Sequence, residues 1–118
     1  MTKTQQQEAI EIIMTKATIQ GRFGDIRGYC AVGALGAASG VVNWHGNAQM
    51  LGLALTRTKF GLEPKQLSII MRLNDITPDL YLRRAKIKEY LLSLPVEPEE
   101  PSYFEIEAAK ENKELVLT

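Results

Sequence analysis

Apolar residues recur at helical spacing along most of the chain, and glycine or proline interrupts the periodic stretches. In the first stretch, Ala9 and Ile13 lie four residues apart on one face, which is the pattern of an amphipathic α-helix. Thr4 with Gln7 fits a capping box, in which each side chain satisfies a free backbone amide of the other residue. The pattern therefore predicts a first helix that begins near Thr4 and is stopped by the glycines from Gly21 onward.

The segment from Tyr29 to Ser39 consists almost entirely of small apolar residues. Gly33 and Gly36 each cost a helix about 1 kcal/mol relative to alanine, which is tolerable where another element packs against the backbone. We expect a buried central helix that ends at Gly40 and presents its two glycines to a neighbouring helix. A pair of buried strands is the alternative, because short apolar runs are ambiguous by periodicity.

The run from about Asn47 to Phe60 is apolar around much of its circumference. A helix with apolar residues on every side is typically buried, so we expect this one to lie in the core. An apolar stretch at 48–55 is also compatible with a dimer interface. Gly61 follows the run, at the position where glycine commonly ends a helix in a left-handed conformation.

Two more helices are predicted between residues 64 and 94. Pro64 fits the first turn of the fourth helix, where its missing amide costs nothing, and Asn74 and Asp75 are expected to end it. Thr77 then fits the N-cap of the fifth helix. We expect Asn74 and Asp75 to bond locally to the amides that begin that fifth helix.

These elements predict an all-α fold, a compact orthogonal bundle of about five helices in residues 1–94. A stiff, acidic, proline-rich linker is predicted to follow at 95–101, and residues 102–118 are expected to form a helical or frayed C-terminal segment. The length of 118 residues is that of one ordinary domain.

Charge divides the chain into two parts, although the formal net charge is zero. Residues 1–95 carry a net charge of +5 and residues 96–118 a net charge of −5. The acidic part is either solvated or bound to a basic surface of the body or of a partner. Its candidate binding residues are Glu97, Glu99, Glu100, Glu105 and Glu107.

Cys30 is the single cysteine and His45 the single histidine. One cysteine cannot form an internal disulfide, and one cysteine with one histidine makes no convincing metal set. The N-terminus lacks an apolar run of signal-peptide length, and no stretch approaches the roughly 18 apolar residues of a membrane span. We therefore expect a cytoplasmic protein with no membrane contact, no metal and no cofactor.

Cys30, His45 and Asp75 are weak candidates for a catalytic set. A thiol near the start of a helix has a lowered pKa, an imidazole can exchange its proton, and a carboxylate can orient the imidazole. The alternative is a buried Cys30 that packs as a small hydrophobic residue, and this reading is favoured.

A glycine-rich loop from Gly21 to Gly28 carries Arg22 and Arg27 and leads into a predicted helix N-terminus. Such a loop can hold an anion on free backbone amides. It has no Walker lysine and follows no predicted strand, so a simple connecting loop is the favoured interpretation.

The pattern of residues 63–92 predicts a helix, a short break and a second helix, which is compatible with a helix-turn-helix. The second helix carries four basic residues expected on or beside its outer face: Arg83, Arg84, Lys86 and Lys88. Against DNA binding, the whole chain is neutral, with an isoelectric point of about 6.6, whereas DNA-binding domains are strongly basic. Nucleic acid is therefore a less favoured partner than protein.

Two short motifs resemble a family of small uncharacterised proteins of bacteria and their phages. The first motif is C-A-x-G-A-L and the second is L-N-D, and the resemblance covers roughly residues 5–94. The matching residues are Cys30, Ala31, Gly33, Ala34, Leu35, Leu73, Asn74 and Asp75. The resemblance implies a compact helical domain with no assigned activity, a bacterial or phage origin, and a structural role for Cys30, Gly33, Leu35, Asn74 and Asp75.

The sequence thus favours a non-catalytic interaction or inhibitor protein that acts on a host protein through its acidic C-terminal segment. A cysteine-dependent hydrolase or transferase that uses Cys30 and His45 is one alternative. A helix-turn-helix protein that binds DNA through residues 63–92 is the other, and a homodimer is compatible with either.

Overall fold

The computed structural model describes residues 1–25 and 27–98. In this part the chain forms five α-helices and one short antiparallel hairpin, so the predicted all-α class is confirmed. The elements are α1 Lys3–Lys16, β1 Gly24–Asp25, β2 Gly28–Tyr29, α2 Ala31–Ala38, α3 Ala48–Phe60, α4 Pro64–Ile76 and α5 Leu80–Ser93.

Helix α1 begins and ends earlier than predicted. Thr2, not Thr4, is the N-cap, and it forms the capping box with Gln5. The sequence offers the same box at both positions. The structure selects the first, where the Gln5 amide also donates to the Lys59 carbonyl at 3.1 Å. The helix ends at Lys16, before the glycines, because Ala17 is already extended.

Helix α2 is the central element, as predicted from its small residues. Every residue from Ala31 to Gly36 is buried, and α2 packs against α1, α3 and α4. The prediction that its glycines face a neighbouring helix is wrong. A Cβ at Gly33 would overlap the carbonyl oxygen of Phe23, and a Cβ at Gly36 would overlap the indole of Trp44. Small residues here admit a loop backbone and an aromatic ring.

Trp44 anchors the connection between α2 and α3. Its ring stacks on Phe23 with centroids 4.3 Å apart and planes inclined by 16°. A Cβ on Gly52 of α3 would lie 2.9 Å from the same indole. The ring therefore fills a slot between α2 and α3 that only glycine leaves open.

The junction of α4 and α5 differs by two residues from the prediction. Thr77 is the C-cap of α4 and not the N-cap of α5. Asp79 caps α5, where its carboxylate accepts from the Leu82 amide at 2.8 Å. Asn74 and Asp75 consequently lie in the last turn of α4, which continues to Ile76.

The core lies where α1, α2, α4 and α5 meet, and the end of α3 contributes Phe60 to it. Its largest fully buried apolar side chains are Ile13, Val32, Leu35, Phe60, Ile70, Ile87 and Leu91. The buried amide of Gln6 on α1 donates to the Leu91 carbonyl on α5 at 2.7 Å. Farther along, the Glu97 amide donates to the Met1 carbonyl at 2.8 Å. The two ends of the described chain therefore meet on one side of the bundle.

Candidate functional site

Cys30, Asn74 and Asp75, which the two sequence motifs single out, lie together in space. Cys30 directly precedes α2, and Asn74 and Asp75 belong to the last turn of α4. The three residues line a pocket of about 140 Å³ with Gly21, Arg22, Phe23, Gln49 and Met71. Pockets that hold drug-sized ligands measure about 300–1,000 Å³, so this one is too small for a nucleotide-like cofactor.

Asn74 and Asp75 join α4 to the connection between α1 and α2. The Asn74 side chain accepts from the Ala31 amide and donates to the Ile19 carbonyl, both at 3.1 Å. The Asp75 carboxylate accepts from the Gly21 amide at 3.1 Å. The prediction that these residues bond to the start of the fifth helix is wrong, because the end of α4 packs against an earlier part of the chain.

Cys30 caps α2 with its sulfur atom. The thiol is 6% exposed and accepts from the Gly33 amide at 3.3 Å. Burial raises the pKa of the Cys30 thiol, hydrogen bonds from the backbone amides of Gly33 and Val32 lower it by less than burial raises it, and the negative charge of Asp75 adds a smaller upward shift. The protonated thiol is therefore the favoured form, whereas a nucleophile needs the thiolate.

His45 does not join this cluster. Its ring is exposed, its amide donates to the Asn43 side chain at 2.9 Å, and it is not among the residues that line the pocket of Cys30. Within the described ranges, Cys30 and Asp75 are thus brought together, and the base that the catalytic alternative requires is not with them.

The described residues of the glycine-rich loop leave no free anion cradle. The first amides of α2 are occupied, at Ala31 by Asn74 and at Gly33 by the Cys30 sulfur. Arg27 pairs with Asp25 at 2.8 Å, and this hydrogen bond lowers the pKa of the Asp25 carboxyl. Arg27 therefore donates to a carboxylate of the same loop, and the Gly21 amide donates to Asp75 of α4, which favours the connecting role.

Two of the four basic residues of α5 face inward, so their predicted place on the outer face is wrong. Arg83 is 4% exposed and donates to the carbonyls of Thr77, Thr18 and Pro78 at 3.0, 3.0 and 2.9 Å. Arg84 is half-buried and donates to the Ala17 carbonyl at 2.9 Å. These two arginines thus link α5 by hydrogen bonds to the residues that follow α1, and Arg83 also to the α4–α5 turn.

Lys86 and Lys88 are the exposed members of that basic set. A DNA-reading helix needs several cations free to contact phosphate. With Arg83 and Arg84 committed to backbone carbonyls, the basic face predicted for α5 is reduced to two lysines. The geometry therefore gives little support to the helix-turn-helix alternative.

Helix α3 exposes the apolar surface that the sequence assigned to the core. Met50 is 74% exposed, Leu51 64% and Leu55 42%, while Gly52, Thr56 and Phe60 are its buried positions. The side of α3 formed by Met50, Leu51, Ala54 and Leu55 is called the α3 face below. The expectation of a buried third helix is wrong, because the helix buries only its glycine and threonine side.

A groove runs between α3 and α4 beside this face and encloses about 340 Å³. It is called the α3–α4 groove below. Its lining is mostly apolar and consists of Met50, Leu53, Ala54, Arg57, Pro64, Leu67, Ser68 and Met71. Contiguous apolar surface next to a concave site is typical of a protein or ligand contact.

The rim of the α3–α4 groove is basic. Arg57 lines it, and Lys65 and Arg72 lie three residues before and four residues after the groove-lining Ser68, so they follow it on one side of α4. All three cations are exposed, and the ion pairs found among residues 1–25 and 27–98 do not include them. Two carboxylates lie near this rim: Glu63 beyond the Arg57 end, and Asp75, which follows Arg72 by three residues on α4 and accepts from the Gly21 amide.

Sequence reasoning missed this groove because a run of apolar residues does not tell a core from an interface. The signal available was Gly52 with Thr56. Two small side chains on one side of an apolar helix indicate which side packs closely, and hence which side is left outside.

The acidic candidates lie mostly beyond the described part. Glu97 is exposed, and its backbone pairs with Thr2. Val96, Glu97 and Pro98 line a shallow surface pocket with Lys3, Thr4 and Gln7 of α1. The other candidates, Glu99, Glu100, Glu105 and Glu107, lie outside the described residues, and so does the segment predicted at 102–118.

Residues 1–25 and 27–98 contain neither a metal-binding cluster nor a membrane span. No group of three or more His, Cys, Asp or Glu side chains there is placed to hold a metal ion. No helix of this part is long and apolar enough to cross a membrane.

Comparison of the chain with protein-family models, curated proteins and solved structures found no match. The resemblance of residues 5–94 to small bacterial and phage proteins therefore stays a prediction. Support for a functional proposal therefore comes from the geometry of the described residues.

Proposed function

We propose that this protein is a non-catalytic interaction domain whose α3–α4 groove binds an amphipathic segment of a partner protein. The observation that carries the proposal is the exposure of Met50, Leu51 and Leu55 beside an apolar groove. Apolar helices laid into a groove are a common mode of recognition, with anchors spaced three and four residues apart. Methionine suits such a surface because its side chain adapts to different partners.

The basic rim defines the chemistry of the partner. Arg57, Lys65 and Arg72 would repel a basic segment and attract an acidic one. Complementary rim charges mainly set specificity and the rate of association. We therefore propose an occupant with an apolar face and glutamate or aspartate along its flanks.

A second copy of this chain suits the groove less well. In a two-fold dimer the same patch meets itself, so the basic rims of Arg57, Lys65 and Arg72 would approach each other. An acidic partner avoids this repulsion. We therefore propose a protein partner, as the sequence predicted, and interference with a host protein in a bacterium or phage. The contact surface that we propose lies on α3 and α4 and not on the acidic segment.

Titration of the ¹⁵N-labelled full chain with two synthetic helices tests the proposal. Both helices carry leucines at positions i, i+3, i+4 and i+7; one has glutamates on its flanks and the other lysines. The glutamate helix should shift amide resonances of α3 and α4, and at low salt it should bind at least about tenfold more tightly than the lysine helix.

Leu51→Glu and Leu92→Glu provide a matched pair of variants. Leu51 is 64% and Leu92 56% exposed, but Leu92 lies on α5, away from the groove. Leu51→Glu should abolish the shifts and Leu92→Glu should preserve them. Equal loss in both variants, or shifts confined to another surface, would rule the groove out as the binding site.

A further inference from the structure

We propose that residues 99–118 of this chain occupy the α3–α4 groove in cis, so that a partner must displace them. The inference rests on the proposed function and adds its regulation. It uses three features of the molecule: the place where the described chain ends, the reach of the remaining residues, and the charge that they carry.

The described chain ends beside the N-terminal end of α1, which lies against the end of α3. The Glu97 amide is bonded to the Met1 carbonyl at 2.8 Å. Met1 in turn touches the end of α3, since a Cβ on Gly61 would lie 3.0 Å from the Met1 Cα atom. Gly61 and Arg57 line one surface depression, and Arg57 continues into the α3–α4 groove.

The remaining length is sufficient to cover the groove. Twenty residues follow Pro98, and an extended chain spans about 3.3–3.6 Å per residue, or about 66–72 Å. Helix α3 has 13 residues and is about 20 Å long. The segment can therefore reach the far end of the groove with chain to spare.

The composition of the segment matches the groove. It carries six glutamates and two lysines, a net charge of −4, against the cations Arg57, Lys65 and Arg72 on the rim. It also holds two apolar clusters, Tyr103–Phe104–Ile106 and Leu115–Val116–Leu117. Apolar anchors combined with acidic residues are the chemistry inferred above for a partner.

Covalent attachment makes even weak binding effective. A tethered ligand acts at an effective concentration on the order of 1 mM. If the segment binds the groove with a dissociation constant on the order of 100 μM, a competing partner binds about tenfold more weakly than it would to an empty groove. Only an acidic helix that binds the groove more strongly than the tethered segment then displaces this segment.

A spin label placed at Ala108→Cys in the full chain tests the contact. The buried Cys30 is retained, and mass spectrometry verifies that one label is attached. Amide resonances of α3 and α4 should broaden, and reversal of four charges (Glu99→Lys, Glu100→Lys, Glu105→Lys and Glu107→Lys) should remove the broadening. The charge-reversed chain should also bind the glutamate helix about tenfold more tightly.

The outcomes separate this inference from the proposed function. If the glutamate helix binds both chains equally and the label broadens no groove residue, the cis contact is refuted and the interaction function stands. If the glutamate helix binds neither chain, the proposed function fails. Broadening seen only in a mixture of labelled and ¹⁵N-enriched copies would assign the groove to a second molecule and overturn the cis contact.

Discussion

Arg83 is a cation in the interior that has carbonyl groups in place of a counter-ion. Three backbone oxygens from the end of α1 and from the α4–α5 turn surround its guanidinium. Such an arrangement is stable because a buried charge must be fully hydrogen-bonded, and the planar guanidinium offers five donors in fixed directions. Lysine, with a point charge, cannot reproduce this geometry.

Arg83→Met should lower the free energy of unfolding by about 2–4 kcal/mol, because three carbonyls lose a charged donor. Lys86→Met, at an exposed position three residues along α5, should change it by less than about 0.5 kcal/mol. Urea unfolding followed by the emission of Trp44, the single tryptophan, measures both. A similar small change in the two variants would show that Arg83 does not hold these segments together.

Cys30 should make stability fall at high pH. Since burial raises the pKa of the folded thiol, the unfolded chain releases its proton first, from about pH 8.5 upward. Between that value and the raised pKa the unfolded state binds fewer protons, so the free energy of unfolding decreases as pH rises. Below about pH 8 the contribution of the neutral thiol is fully present.

Cys30→Ala isolates this effect, because the other titrating groups are shared by both chains. The loss of stability between pH 8 and pH 10 should be smaller in the variant than in the parent chain. Alkylation of the native parent at pH 8 should also be much slower than alkylation in denaturant. Rapid native alkylation would instead indicate an activated thiolate and return the cysteine-enzyme alternative to consideration.

Gly33 reverses the usual effect of a glycine-to-alanine change in a helix. Elsewhere in a helix the change would add about 1 kcal/mol of stability, but here a Cβ would overlap the Phe23 carbonyl, which is backbone and moves only with the loop. Gly33→Ala should therefore cost about 2–4 kcal/mol. Ala38→Gly, at the exposed last residue of the same helix, should cost less than about 1 kcal/mol, the penalty in a helix interior, and thermal unfolding compares the two.

At the scale of elements, the sequence predicted which segments are helices better than where they begin or which side they bury. Helix α3 and its end at Gly61 were predicted correctly, because glycine in the left-handed conformation is a local signal. The start of α1 was predicted wrongly, because two overlapping capping boxes satisfy the same local rule. The burial of α3 was also predicted wrongly, because the buried side of a helix depends on which surfaces the other helices cover.

The exposed side of α3 should tolerate polar substitution. Leu51→Gln should change the free energy of unfolding by less than about 0.5 kcal/mol, as is usual at surface positions. Leu67→Ala, at a buried position of α4, should cost about 2–5 kcal/mol because it leaves a cavity. Chemical denaturation of the two variants checks this. A cost at Leu51 as large as that expected at Leu67 would mean that Leu51 belongs to the packed core.

At the scale of the whole molecule, the two candidate regions differ in how far the sequence could predict them. The sequence placed Cys30 beside Asp75 only in the catalytic alternative, and it predicted other partners for Asn74 and Asp75. The α3–α4 groove was not predicted, because a groove forms only where two helices lie side by side, and the residue pattern of either helix alone does not indicate it. Its basic rim likewise combines cations from separate helices.

The hydrogen bonds from α5 to the residues that follow α1 also affect the nascent chain during synthesis. The carbonyls of Ala17 and Thr18 find their donors on Arg84 and Arg83, which are translated more than sixty residues later. At about 5–20 residues per second, the ribosome takes roughly 3–13 s to add that many residues. During that interval the end of α1 lacks its final hydrogen-bond donors, so a nascent chain that stalls before α5 should be a better substrate for chaperones and proteases than the completed domain.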